Sequence, residues 1–568
     1  MLNLKPKSET SAHEGFTLKR VLPIGVIIGV ATLLMLPTFI FGFPAGYDAV
    51  RHYRWTWQFS EALGDGAIFP RWLPTANHHQ GSPVALYYPP LPFYVAAFFD
   101  IFVGTLPAMA LSCWTSLMIS AAGMYKLARN LLPCGYSLFA AIIYSVIPYH
   151  IYDLYQGTAV SEFWSFAWIP FLFNSIYHLS LQKNTQHIFL LASNYALLLF
   201  THVPIAFLTS LLLPILAILL TRKFKNLWQI ACGLLLGLGL AAIFIVPIVF
   251  EREFVKLQFK FNYQDYFLFK HIDEAFNSAL FAKTQTPQSY LLETNVMAVG
   301  VAVFFLAITL TLWKTWRWRQ ENPAGFKLTA AVWALTACCI LITTRATRLV
   351  WQWLPGLPML FFPVRFFVVA CVGLALLSAI AWWILKASKR RVIYGSILAL
   401  AMIFNLVISY LAVVRAPHSP EKLQDGLSQR EVREYRPIWW NADLESWRNV
   451  GSPIVESGEA LVRVIDDRGI NQSYEITARQ DSNIVFRPMY FPGWTAEING
   501  EPVVVEPSAS GNLLLKIAPG DYRINLKFAD TLPRQAGKII SILSLLIFIS
   551  LSIWLRYQSG KSLSTHNQ

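Results

Sequence analysis

The sequence predicts an α-helical polytopic membrane protein of about twelve transmembrane helices with a C-terminal extracytoplasmic β-sandwich-like domain. Three observations carry that prediction. Of 568 residues, 55% are hydrophobic and only 14% charged, whereas a soluble domain carries about 25% charge. The apolar residues fall in repeated blocks of about 18–24, long enough to cross a hydrocarbon core of roughly 30 Å as helices. Toward the C-terminus the pattern changes to short alternating runs separated by turn signals.

Lys5, Lys7, Lys19 and Arg20 place the N-terminal segment, 1–20, in the cytoplasm by the positive-inside rule. The block 21–41 is too long for a signal-peptide core and has no small-residue cleavage site after it, so it reads as a retained first span. The stretch LYYPPLPFYVAAFFDIFVG (86–104) is proline-rich at its start and interrupted by Asp100. Reading it as interfacial keeps Lys126 and Arg129 inside. The remaining spans then alternate at 107–128, 136–149, 163–181, 187–202, 204–221, 227–250, 296–313, 327–343, 363–385, 392–413 and 537–556. The basic turns LQKNTQ, TRKFKN, KTWRWRQ and KASKRR, and the tail from Arg556, all fall inside. The membrane domain is therefore 21–414, with outer segments 43–106, 150–162, 251–295 and 344–362.

The outer region 415–535 alternates in ALVRVID, SYEITAR, NIVFRP, TAEIN, PVVVE, LLLKIA and YRINLKF. Asn499-Gly500, Pro519-Gly520-Asp521 and SASGN punctuate these runs, which suits a small antiparallel sandwich. Residues 536–568 supply the last helix and a cytoplasmic tail. The net charge of +14 reflects cytoplasmic turns and gives no indication of nucleic acid as a partner. All six cysteines lie in or beside apolar blocks, so neither a disulfide framework nor a zinc site is expected.

Polar residues on the outer side are the informative exceptions. Arg345, Arg348 and Arg365 surround LVWQWLPGLPMLFFPVRFF, and Arg365 lies at the mouth of a span. A charge near hydrocarbon costs about 2.5–3.5 kcal/mol at the centre and less toward the edge, so it normally has a partner. Two readings stand for Arg365: snorkelling to lipid phosphate, or a guanidinium clamp on a substrate phosphate. Asp48 follows the first span, and PYHIYDLYQGTAVSEFW (148–164) carries His150, Asp153 and Glu162. Acids on two short outer loops can converge on one cavity, to activate a hydroxyl or to hold a divalent cation such as Mg or Mn. The blander account of each acid is a helix cap or a loop salt bridge, such as Asp48 with Arg51. If 47–60 is helical, Asp48 and His52 lie one turn apart. His202, in FTHVP, marks the outer end of a span, and Tyr88 joins Trp55, Trp57 and Trp72 as rings that could stack on sugars or anchor in headgroups. No Gly-rich nucleotide motif and no P-loop is present.

GSPVALYYPPLPFY, IPYHIYDLYQGTAVSEF and THVP, with MYFPGWTAEINGEPV and APGDYRINLKF near the C-terminus, resemble the bacterial 6-pyruvoyl-tetrahydropterin-synthase-related membrane proteins. More broadly, an early outer-loop Asp followed by Pro-Arg-Trp (70–72) resembles the GT-C fold glycosyltransferases. The pterin label implies no pterin chemistry, since no zinc-binding cluster accompanies it. The resemblance implies sugar transfer from a polyprenyl-phosphate-linked donor to a glycan, lipid or protein acceptor on the outer face of a bacterial plasma membrane. It implies Asp48 as catalytic base or metal-proximal acid, with Glu162 and Asp153 as the second-loop acids and His52 as helper. It matches Arg365 in position and charge to a phosphate-binding arginine; Arg348, His202, His150 and Tyr88 complete the expected substrate site. No Asp-x-Asp occurs in either loop, so a metal, if present, would fall to Asp48 and Glu162. The competing expectations are a transporter or flippase of lipid-linked sugars, with acids at mid-membrane depth, and a non-catalytic envelope assembly protein of the same fold.

Overall fold

A computed structural model describes residues 18–181, 185–256, 318–354, 356–385, 433–441 and 451–565, with isolated positions between 305 and 407. Its helices are α1 (Leu18–Phe41), α2 (Ala49–Gly64), α3 (Leu91–Val103), α4 (Thr105–Ala128), α5 (Cys134–Val146), α6 (Val160–Ser180) and α7 (His187–Leu199). They continue with α8 (Val203–Leu220), α9 (Phe224–Leu240), α10 (Ala242–Glu251), α11 (Pro323–Leu341), α12 (Phe366–Ile384) and α13 (Leu532–Thr565). Helices occupy every expected span except 296–313 and 392–413, which fall largely outside the described residues.

Among the described residues six stretches are long and apolar enough to cross a membrane alone: Val21–Phe41, Thr105–Ala128, Val203–Leu220, Pro323–Leu341, Pro363–Ile384 and Leu532–Leu555. Two bent pairs raise this to eight, one of them α9 with α10, broken by 74° at Ala241. The apolar stretch after the first outer loop forms only α3, thirteen residues, or about 20 Å at 1.5 Å per residue, short of a bilayer core.

The bundle is organised around α6 and α12. Residues Phe366 to Ala381 of α12 are all buried, as expected for a helix apolar on every side. The larger side of α6 is equally enclosed, although it carries Glu162 and Asn174. At the other extreme, α13 packs along α9 and α10 and leaves most of its apolar surface outside the bundle. Small residues set helix spacing where bilayer lipid removes the usual hydrophobic drive. Gly233 and Gly237 of α9 face α7 so closely that a Cβ on Gly237 would lie 2.6 Å from the Ala192 carbonyl oxygen.

The C-terminal domain is two antiparallel sheets. Its strands are β1 (Ile454–Ser457), β2 (Ala460–Asp466), β3 (Asn471–Ala478), β4 (Ser482–Met489), β5 (Trp494–Ile498), β6 (Glu501–Val503), β7 (Glu506–Pro507), β8 (Asn512–Ile517) and β9 (Gly520–Phe528). The orders are β1-β4-β8-β7 and β2-β3-β9-β5-β6. Inward-facing Tyr474, Ile476, Ile524 and Leu526 of one sheet meet Ile484, Phe486, Leu513 and Leu515 of the other. The same core takes in Trp72, Leu86 and Tyr87 from the first outer loop and Val255 after α10. The β domain is thus built onto the loops at one end of the bundle.

A buried ion pair fixes that junction. Arg534, at the start of α13, donates from Nε to Glu251 Oε2 at 3.0 Å, and the side chains are 0% and 1% exposed. Its remaining nitrogens donate to the carbonyls of Pro492 (2.7 Å) and Ala529 (3.1 Å), and its guanidinium lies over the Phe528 ring. Thr531 donates to the other Glu251 oxygen, and Arg71 pairs with Asp530 nearby.

Candidate functional site

The end of the bundle that carries the β domain also gathers the loop acids Asp48, Asp153 and Glu162. The first outer loop and the segment after α5 are joined by backbone hydrogen bonds, from Tyr47 N to Gln156 O (3.2 Å) and from Asp48 N to Gly157 O (3.1 Å). Their approach requires Gly46, because a Cβ there would lie 2.3 Å from the Gln156 carbonyl. Beyond α5, Pro148 begins a short helix, Pro148–Tyr152, with Ile147 extended before it. The chain then widens into a π-turn, Asp153–Gly157, a geometry enriched at functional sites. Thr158, in the left-handed region at φ 46°, reverses it into α6. Glu162 falls in the first turn of α6, where the helix dipole favours an acid.

Arg365 reaches this cluster from the turn Pro363–Arg365 that opens α12. Its Nε donates to Glu162 Oε2 at 2.9 Å, and another nitrogen donates to the Leu360 carbonyl at 2.5 Å. The guanidinium lies 5.2 Å from the centre of the Phe362 ring. Glu162 Oε1 accepts from the Tyr149 hydroxyl at 2.6 Å. Asp153 is buried beside this pair, its Oδ2 without a hydrogen-bond partner among the described residues. Arg365 thus has a protein carboxylate as a partner, which neither expected account of it named.

Asp48 stands at the N-terminal end of α2 without capping it. Its Oδ1 accepts from Arg51 at 3.2 Å, and 41% of the side chain is exposed. Protein nevertheless fills most directions around it, and burial pushes the carboxyl above the ordinary aspartate value. Arg51 and then Arg365 pull it back. Asp48 therefore has its loop salt bridge and also sits within electrostatic reach of the Glu162–Arg365 group.

Among the described residues no hydrogen bond joins the His52 ring to the Asp48 carboxyl. The His52 Nε2 lies 3.4 Å from the Tyr88 hydroxyl, inside a cage of Trp55, Tyr88 and Phe93 rings. Burial, with a smaller contribution from Arg51, lowers its pKa to about 3, so the imidazole is neutral at physiological pH. His202 is committed to capping α8, its Nδ1 accepting from Ile205 N at 3.3 Å, within electrostatic reach of Arg365 and His52. His150 is wholly buried, stacked on Phe166 at 4.1 Å with Nδ1 3.0 Å from the Tyr144 carbonyl oxygen. Arg345 and Arg348 are exposed, and among the described residues no hydrogen bond or ion pair links Arg348 to the cluster.

Two contributors were not foreseen from sequence. Tyr149 precedes His150 in an aromatic-rich run that offers several equivalent candidates. Tyr435 comes from the far segment 433–441 and sets its ring against Trp55, Tyr87 and Tyr88 at 6.1–6.5 Å. It lies within electrostatic reach of Asp48, Arg51 and Arg365. Both oxygens of Glu162 and one of Asp48 are already engaged, and among the described residues no group of three His, Cys, Asp or Glu could hold a metal.

Fold and site together define a polytopic membrane protein whose loops at one end of the bundle gather carboxylates and arginine beside a β domain. The chain belongs to the family of the 6-pyruvoyl-tetrahydropterin synthase related domain, a membrane-protein family whose model matches residues 85–415, as the resemblance had implied. No curated protein matches in sequence. Among solved structures it is similar to the Archaeoglobus fulgidus oligosaccharyltransferase in the apo form, at 13% identity and a TM-score of 0.41. It is also similar to the archaeal oligosaccharyltransferase AglB of Archaeoglobus fulgidus in complex with an inhibitory peptide and a dolichol-phosphate, at 13% identity and a TM-score of 0.42. Each match covers 75% of this chain and 62% of the other, so the chain spans about three fifths of those structures' length.

Proposed function

We propose that this protein is a membrane glycosyltransferase that moves a sugar from a polyprenyl-phosphate donor to an acceptor hydroxyl on the extracytoplasmic face, with Asp48 as the base. The observation that carries this reading is the meeting of Asp48, Asp153, Glu162 and Arg365, from three separate segments, at one end of the bundle. A carboxylate that water still reaches, and that burial makes more basic, suits proton abstraction. The acceptor oxygen attacks the anomeric carbon while the bond from that carbon to the donor phosphate oxygen breaks. Its proton passes to Asp48, and the polyprenyl phosphate leaves with the bonding electrons. Arg365 places positive charge beside the leaving phosphate, while Arg51 pairs with Asp48. Glu162 and Tyr149 hold the Arg365 guanidinium in position.

The test uses membranes containing the full chain, supplied with radiolabelled sugars on polyprenyl phosphate. Label should move to acceptor, and Asp48→Asn should lower transfer at least about a hundredfold while the variant still floats with the membrane fraction. Full activity in that variant would remove Asp48 as base. Labelled lipid-linked sugar crossing sealed vesicles without bond transfer would identify a transporter instead.

A further inference from the structure

A second site lies apart from the charge cluster. Between the first outer loop and the β domain is a cleft of about 900 Å³, at the upper end of the roughly 300–1,000 Å³ usual for ligand pockets. Its loop wall carries Glu61, Asp65 and His79; its domain wall carries Asp466, Asp467, Arg468, Asn471 and Arg487.

Hydrogen bonds tie the loop wall to the β domain. Asn77, His78 and His79 run consecutively in the left-handed region, at φ 53°, 56° and 65°, a conformation that non-glycine residues visit singly rather than in runs. The β domain holds this turn from several sides. Met489 N donates to Gln80 O (2.8 Å), and Trp440 Nε1 and Asn512 Nδ2 donate to Gln80 Oε1 (3.2 Å each). Such strain persists only where the surroundings over-determine it, as they do at ligand clamps.

The lining selects the ligand class. Four carboxylates against two arginines disfavour a phosphate or another anion. The arginines, placed among the acids, disfavour a cationic peptide. Closely spaced acceptors, guanidinium donors and an amide match the alternating donors and acceptors of a neutral polyhydroxylated molecule. We propose that this cleft binds a neutral oligosaccharide, the glycan portion of the acceptor. That identity as acceptor rests on the glycosyltransferase reading; the binding itself does not.

Purified full-length protein in detergent is applied to an array of neutral and acidic oligosaccharides, with inorganic phosphate and polylysine as competitors. Wild type and Asp48→Asn should both retain neutral oligosaccharides. Both residues of Asp65→Ala/Asp467→Ala are exposed, and that double variant should lose at least tenfold in retention while keeping its gel-filtration profile. Failure to retain any neutral oligosaccharide, displacement by phosphate or polylysine, or unchanged retention in the double variant would overturn the assignment. Binding that survives in a protein with no transfer activity would leave this site standing and remove the reading of the first.

Discussion

Glu162–Arg365 and Glu251–Arg534 are the same pair of residue types at nearly the same Nε–Oε2 separation, 2.9 and 3.0 Å. They differ in what surrounds them. At the domain junction every guanidinium nitrogen of Arg534 has an acceptor, both Glu251 oxygens are engaged, and neither side chain meets water. At the bundle mouth two further acids crowd the pair, one oxygen of Asp153 has no partner, and Asp48 is open to solvent. A saturated network specifies a fold. An unsaturated one, kept under strain of like charge, is available for chemistry.

The sharpest way to break this contrast is Arg534→Ala. It leaves the Glu251 carboxylate buried without its partner, which costs about 3–5 kcal/mol. The expected result is loss of the β domain's attachment, read as proteolysis between α13 and the β domain in intact membranes. Resistance equal to wild type would show that the junction does not depend on the pair. Arg365→Ala should act differently. Transfer should fall about a hundredfold or more, near 2.7 kcal/mol in barrier, while the same proteolysis assay changes little because this pair links two bundle helices and does not tie the β domain to them. If proteolysis rises in this variant as strongly as in Arg534→Ala, the two pairs play one structural role.

Tyr149→Phe probes the shoulder of the active pair. It removes the hydroxyl that donates to Glu162 Oε1 and leaves that buried oxygen unsatisfied, at about 1–3 kcal/mol. Thermal unfolding in detergent should register that loss, and transfer should weaken with it as Arg365 loses its fixed geometry. A variant matching wild type in both would remove Tyr149 from the site.

How much of this was legible depended on range in sequence. Hydropathy blocks located the helices, because a bilayer imposes length directly on composition. Alternation located the strands: ALVRVID became β2 at Ala460–Asp466, and all of LLLKIA but its last residue lies in β8 at Asn512–Ile517. The outer acids stood out for being where apolar residues were expected. The partners did not, since Glu162 meets Arg365 across 203 positions and Glu251 meets Arg534 across 283. Arg534 broke the same positive-inside expectation that singled out Arg365, yet the polar β domain beside it hid the signal. The Asp48–His52 spacing misled in a different way. The helix is there, but Asp48 turns to Arg51 while His52 turns to Tyr88.

The smallest effect, and the most specific, belongs to Arg51. In the proposed mechanism transfer requires Asp48 ionised, so activity should fall as pH drops through the pKa of that carboxyl. Burial holds this pKa above 3.8 and Arg51 counteracts the rise. Arg51→Ala removes an interaction that favours the charged form, so the acid limb of the pH–rate profile should move to higher pH with the plateau rate nearly kept. The pair is largely exposed, which keeps the change modest. Arg51→Lys retains the charge and should restore most of the wild-type limb. His52 contributes no limb of its own between pH 5 and 8, because it is already neutral there. A limb that stays fixed in Arg51→Ala would mean that the titrating group is not Asp48, and the open end of the comparison would lose its base.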